Sequence, residues 1–315
     1  MNGGILMKKA KITVLGSFVV DLMARSSHLP VAGETVKGSI FKLGPGGKGS
    51  NQGVAAQRAG ADVTMVTKIG KDDFSEIALK SFMKEGMDTR LVFQDDKLST
   101  GAALILVDEN TSENEIVVIP GACSNITDGD IETAREAIEG SSVFMTQLET
   151  NVDAVEKAIN IAHSKGVKVI LNPAPVQEIP KELYNKIDFF TPNEVEASIL
   201  SGVTIENIED ARKAAQIFIN RGTENVIITL GSKGALVVTR SGDEFIESYK
   251  VNAVDTTGAG DAYNGGFATA LAEGKDIFEA ARFASAVGAL SVTKIGTAPA
   301  MPYRDEIDKF IQNNK

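Results

Sequence analysis

Short apolar runs ended by turn residues alternate along most of this chain with longer segments of helical period. Lys11 to Gly16 opens the series, an apolar run closed by glycine that reads as a buried strand. Val63 to Thr67, Ser142 to Gln147, Val167 to Leu171, Ile187 to Thr191 and Asn225 to Leu230 repeat it, and Ala235 to Thr239 continues the theme. Between them, apolar spacing predicts helices over Val54 to Ala59, Phe74 to Glu85, Asp128 to Ile138 and Val152 to Lys165, then Asn193 to Leu200 and Ile208 to Asn220. Gly60, Gly86 and Gly166 supply stops. Such alternation predicts right-handed βαβ units, hence an α/β fold: a three-layer αβα core around a mainly parallel sheet. Two patches break the rhythm. Within 18–46, Gly33 to Val36 and Ser39 to Leu43 read as short strands; within 99–125, Thr100 to Val107 and Glu115 to Pro120 read as a hairpin. Paired, they make a small β-sheet lid on a single domain spanning 1–315. Ligands of open parallel sheets sit beyond the carboxyl ends of the strands. The loops after Gly16, Gln147, Leu171, Thr191, Leu230 and Val254 are therefore expected to meet at one cleft.

Composition narrows the function more than the fold. A net charge of −10 and the absence of any Lys/Arg-dense run argue against nucleic acid or an anionic membrane as partner. Cys123 stands alone, so neither an intramolecular disulfide nor a thiolate metal cluster is expected, and a reducing cytoplasm fits. Residues 1–9 carry two lysines with no apolar region behind them, so no signal peptide is expected, and Met7 offers a second candidate start. No run approaches the roughly 18 apolar residues of a membrane span.

The chemistry concentrates in Asp255 to Phe267. Small residues lead into a helix beginning near Gly258 to Asp261, and a helix start of that kind leaves amides and partial positive charge open to an anion. Asp261 in that turn is either a dipole-complementing residue of a tight turn or a base beside a bound phosphoryl group. Gly44 to Gly49 matches the dinucleotide fingerprint formally, but the first strand ends about 30 residues earlier, so a nicotinamide dehydrogenase rests on a weak signal. The same glycines suit close approach to a ligand, with Lys48 and Asn51 as donors, or a hinge between lid and core. Asn193 and Glu196 share one face of a helix start and are able to organise water around Mg²⁺. Glu149, just past a strand, suits a sugar or water contact, and Thr229 to Gly234 suits a nucleotide or a plain turn. The two histidines, His28 and His163, read as surface or packing residues.

Taken together, Gly46-Gly47-Lys48-Gly49-Ser50-Asn51 with Asp21 upstream, Thr191 to Glu196, and Asp255 to Asp261 resemble the ribokinase (PfkB-type carbohydrate kinase) family along essentially the whole chain. Leu148-Glu149, Asn172 to Pro175 and Gly296 to Pro302 strengthen the likeness to ribokinases within it. The resemblance implies ATP-dependent transfer of the γ-phosphoryl group to the 5-hydroxyl of D-ribose, with Mg²⁺ accompanying ATP and K⁺ as activator. It implies Asp261 as base and the amides of Ala259 and Gly260 as stabilising the transferring phosphoryl charge, with Gly258 among the catalytic residues. Asp21, Gly47, Lys48, Asn51 and Glu149 would hold the sugar. Asn193, Thr229, Gly231, Gly234, Gly260 and Ser285 would hold ATP, and Glu196 would reach Mg²⁺ indirectly. The monovalent cation would lie near Asp255, Thr257, Ser291, Lys294 and Gly296, mostly on backbone carbonyls, and a homodimer would form through the lid. Two positions depart from the ribokinase pattern. Val19 replaces an Asn that helps hold ribose, which opens 2-deoxy-D-ribose as the alternative substrate. Ala300 replaces a Ser of the cation shell, so cation activation is expected to be weaker. Other PfkB-type substrates and a non-catalytic sugar sensor complete the alternatives, and the intact Asp261 argues against the sensor.

Overall fold

A computed structural model describes residues 10–111 and 113–314. The expectations placed on residues 1–9 lie outside the described residues. In chain order the elements are β1 (Lys11–Leu15), β2 (Val19–Ser26), β3 (Gly38–Gly46), α1 (Lys48–Arg58), β4 (Asp62–Ile69), α2 (Asp73–Glu85), β5 (Val92–Gln94), β6 (Gly101–Asp108) and β7 (Asn114–Ile119). There follow α3 (Asp128–Glu139), β8 (Val143–Thr146), α4 (Val152–Ser164), β9 (Lys168–Leu171), β10 (Phe189–Phe190), α5 (Glu194–Ser201), α6 (Ile208–Arg221) and β11 (Asn225–Thr229). The chain ends with β12 (Gly234–Thr239), β13 (Gly242–Glu247), α7 (Ala259–Ala272), α8 (Ile277–Ser291) and α9 (Arg304–Asn313).

The large sheet has nine strands in the order β13-β12-β11-β10-β9-β8-β1-β4-β5. From β11 to β5 every neighbouring pair is parallel. Successive residues of a strand face opposite sides, so its two faces bury separate cores. On β11, Ile227 packs into the core beneath α1, α7 and α8, whereas Val226 and Ile228 pack into the core of α3, α4 and α6. There Phe190 and Phe218 stack with ring centroids 4.9 Å apart. The smaller sheet runs β3-β2-β6-β7, with β2 parallel to β6 and the other pairs antiparallel. Among the described residues no helix is long and apolar enough to cross a membrane.

The structure departs from the sequence expectations in four places. Gly33 to Val36 form a turn and coil rather than a strand, while the long β2, unmarked in the sequence, pairs on both sides. The glycine-rich run is not a loop throughout: β3 continues to Gly46 and α1 starts at Lys48, because the Ser50 amide is caught by the Ser17 carbonyl at 2.9 Å. The alternation does not continue through Ala235 to Thr239, since β11, β12 and the unforeseen β13 form an antiparallel meander. Residues 251–254 form no strand.

α7 positions the site. Its residues from Asp261 to Leu271 are all buried, as a helix wedged between two others must be. Small side chains permit the wedge: a Cβ on Gly265 would lie 2.5 Å from Ala55 Cβ in α1, and one on Gly266 would lie 2.7 Å from Val287 Cγ2 in α8.

Candidate active site

Gly258 caps α7 with φ 78°, a conformation glycine adopts without strain. The Ala259 amide donates to the Thr256 carbonyl at 3.2 Å as the turn closes. Among the described residues the amides of Gly258, Gly260 and Asp261 meet no acceptor. Of the expected residues, Gly258 and Gly260 keep open amides and Ala259 turns its amide to Thr256, while the Asp261 amide is open beside them. The α7 macrodipole adds partial positive charge at the same point.

The same turn carries Asp261, 7% exposed. Asn51 Nδ2 donates to its Oδ2 and Gln52 Nε2 to its Oδ1, each at 3.0 Å. Asn51 thereby commits its amide nitrogen and leaves a buried Oδ1 with no donor, ready to accept from a ligand hydroxyl. Burial pushes the Asp261 carboxyl above its ordinary range; the Lys48 ammonium and the bonds from Gln52 and Asn51 oppose that rise, and Glu149 adds to it. Lys48 is held charged chiefly by Asp261, against burial, with help from Glu149 and Glu196.

Glu149 is fixed from two elements, its Oε2 accepting from the Lys48 amide at 2.8 Å and from the Ser17 hydroxyl. Asp21 on β2 faces the same charges: burial, then Glu149 and Asp261, lift its carboxyl to about 6. Gly46 makes room for it, since a Cβ there would lie 2.1 Å from Asp21 Oδ1. Val19 shares the Asp21 face of β2, is 4% exposed, and lies against Gly101, where a Cβ would come 2.8 Å from Val19 Cγ1. Hydrogen bonds and charge coupling thus bring Lys48 and Asn51 together with Asp21, Glu149 and Asp261.

On the other side of the α7 turn lies a groove of about 490 Å³, lined by Thr229, Gly231, Gly234, Gly260, Tyr263 and Ser285 among others. Asn193 lies outside this lining but pairs with Thr229 beside it. Asn193 and Glu196 cap α5 reciprocally, at 2.8 and 2.9 Å. Burial lifts the Glu196 carboxyl, opposed by the Asn193 amide and Lys48. One oxygen is spent on the cap, which leaves the other free of it. At the expected monovalent site the side chains already have protein partners. Asp255 accepts two amides, Ser291 Oγ donates to the Gly288 carbonyl at 2.8 Å, and Lys294 pairs with Glu306 at 2.8 Å. His28 and His163 are exposed and far from this chemistry, His28 bonding Glu34.

Five polar residues of the site carried no role in the sequence reading. Ser17 reaches Glu149, and Gln52 bridges Asp261 to Asn172 Oδ1, again at 3.0 Å. Gln147 donates to Gln52 Oε1 at 2.6 Å, Asn172 to the Thr191 carbonyl at 2.8 Å, and Asn264 to the Gly260 carbonyl at 2.9 Å. Their one signal in the sequence is an amide or hydroxyl beside apolar or small residues.

A buried carboxylate in the first turn of a helix whose amides are open, beside a groove of the same turn, has the chemistry to accept a proton and to neutralise an anion. The pfkB family carbohydrate kinase model matches residues 9–304. The chain belongs to that family. This carbohydrate kinase is 42% identical over 302 residues to the ribokinase of Haemophilus influenzae, which covers 96% of this chain and 98% of the relative. It is 37% identical over 305 residues to the deoxyribokinase of Salmonella typhimurium, covering 96% and 99%. Its fold matches Arabidopsis thaliana ribokinase complexed with ribose and ATP, with a TM-score of 0.89, 28% identity and coverage of 97% and 99%.

Proposed function

We propose that this carbohydrate kinase is a ribokinase, converting D-ribose and ATP to ribose 5-phosphate and ADP. The observation that carries the reading is the buried Asp261 carboxylate, held by Asn51 and Gln52 in the same first turn of α7 as the open amides. The sugar 5-hydroxyl oxygen attacks the terminal phosphorus, the bond from that phosphorus to the ADP oxygen breaks, and the hydroxyl proton passes to Asp261. The Gly260 and Asp261 amides and Lys48 take up charge on the transferring group. Asp21, Gly47, Lys48, Asn51 and Glu149 hold the sugar; Asn193, Thr229, Gly231, Gly234 and Ser285 line the nucleotide side. Mg²⁺ bound with ATP would supply charge neutralisation of the phosphates, and Glu196 would hold it through water. A monovalent cation near Asp255, Thr257, Ser291, Lys294 and Gly296 finds backbone carbonyls, the donor type K⁺ accepts. Ala300 offers no hydroxyl there, so K⁺ activation is modest.

The four-stranded sheet serves as a lid on the single domain. Register places Phe41, Leu43, Leu104 and Val117 on one face, 66%, 45%, 47% and 60% exposed, and a second copy of the chain covers them in a homodimer. The single cysteine suits a reducing cytoplasm.

One observation favours a second reading. Val19, buried beside Asp21, offers no polar partner to a sugar hydroxyl, which suits 2-deoxy-D-ribose. ADP release with Mg²⁺-ATP, comparing D-ribose with 2-deoxy-D-ribose with and without K⁺, separates them. A strong preference for ribose supports ribokinase; equal or faster turnover of deoxyribose makes Val19 the specificity residue. Turnover of neither sugar overturns both.

A further inference from the structure

Asp261 does not sit in its pocket by its own rotamer alone. As an acceptor-only carboxylate it requires both amides that touch it to present their NH₂ groups. For Gln52 that leaves Oε1 pointing away, and there Gln147 Nε2 meets it at 2.6 Å. Gln147 is in turn fixed with its own Oε1 towards Gly16, where a Cβ would come to 2.2 Å and where nothing donates to it. The direction of donation is thus set along the whole chain, from Gln147 to Gln52 to Asp261. Gln52 and Gln147 are both 0% exposed, so water offers neither an alternative partner. Gln52 also bonds Asn172 Oδ1, which ties the same nitrogen to the end of β9 and prevents it from following a rotation of Asp261.

We propose that Gln52, its amide polarity set by Gln147, is a positioning residue that keeps Asp261 an aimed, acceptor-only carboxylate for proton abstraction. This rests on the reading of Asp261 as the base. The charges that face Asp261 come from several elements. Lys48 of α1 favours its ionised form, Glu149 after β8 opposes it, and Asp21 of β2 and Glu196 of α5 lie in the same field. Against burial and that acidic surrounding, the neutral donors from Gln52 and Asn51 lower the carboxyl without adding a charge that would have to be moved during the reaction.

The test is the pH profile of turnover under saturating ribose and Mg²⁺-ATP. Gln52→Met keeps the length of the side chain and removes the donor. The expected result is a fall in kcat of about tenfold or more, with KM for ATP little changed, and an acid limb displaced upward by about one pH unit. Gln147→Glu, which reaches Asp261 through Gln52, removes the donor its neighbour requires and shifts the limb in the same direction. Gln52→Met, folded by circular dichroism, with its acid limb unmoved overturns the proposal. Should Gln52→Met fail to fold, Gln147→Met carries the test, and an unmoved limb there overturns it equally. Asp261→Asn separates the two levels. Turnover near wild type in that variant removes Asp261 as base, whereas an inactive Asp261→Asn with unmoved profiles in the glutamine variants removes only the relay.

Discussion

The Asp255 carboxylate accepts the amide of Gly296 at 2.9 Å and that of Thr257 at 3.0 Å, joining the loop that enters α7 to the loop that leaves α8. Burial would raise this carboxyl, but the two amides outweigh it and hold it below its ordinary range. A carboxyl depressed in the folded state stabilises above its unfolded pKa, and that contribution disappears as pH falls through the folded value. Asp255→Ala is therefore expected to lose about 2 kcal/mol near neutral pH. The difference from wild type should shrink below about pH 4, which thermal melts across that range will read. An equal loss at both ends would show that the charge plays no part. The same variant should weaken K⁺ activation, because the surrounding carbonyls lose their common anchor.

Asp21 predicts the opposite sign. Its carboxyl is raised from 3.8 to about 6, so ionising it costs stability. That cost begins as pH climbs past the unfolded value and is complete above the folded one. Asp21→Asn should match wild type in stability near pH 3.8 and exceed it above pH 6, while sugar affinity falls. Denaturant unfolding at the two extremes measures the first, and ribose titration the second. A variant less stable than wild type at high pH would mean that Asp21 is ionised at no cost.

Gly265 lets α1 and α7 touch: its added Cβ would lie 2.6 Å from the Gln52 carbonyl as well as against Ala55. Gly265→Ala should cost about 1–3 kcal/mol by overpacking. Because the strain falls on the turn that carries Asn51 and Gln52, kcat should drop more than KM rises. Unfolding curves and initial rates together decide; a stable, fully active variant would show that the two helices separate without disturbing Asp261.

The proposed homodimer predicts that Phe41→Lys combined with Val117→Lys yields a monomer by sedimentation velocity. Wild-type protein sedimenting as a monomer at micromolar concentration would leave this apolar face to another partner.

The chain's own pattern sets the βαβ rhythm, because a strand buried on both faces must be continuously apolar and a helix resting on it must show its own period. It also determined Gly258 to Asp261, since the helix start, its bare amides and its one carboxylate are neighbours in the chain. Boundaries were decided by tertiary contacts: α1 begins at Lys48, inside a glycine run that reads as loop, because the Ser17 carbonyl captures the amide of Ser50. The long β2 exists because β3 and β6 flank it, and β12 and β13 fold back on β11 where helix-linked alternation was expected. The support of Asp261 was decided there too. Gln147 lies 95 residues from Gln52, and Gln52 lies 209 from Asp261. Local pattern carries no information about such bonds, because each side chain is an ordinary polar residue until folding removes water from all of them together.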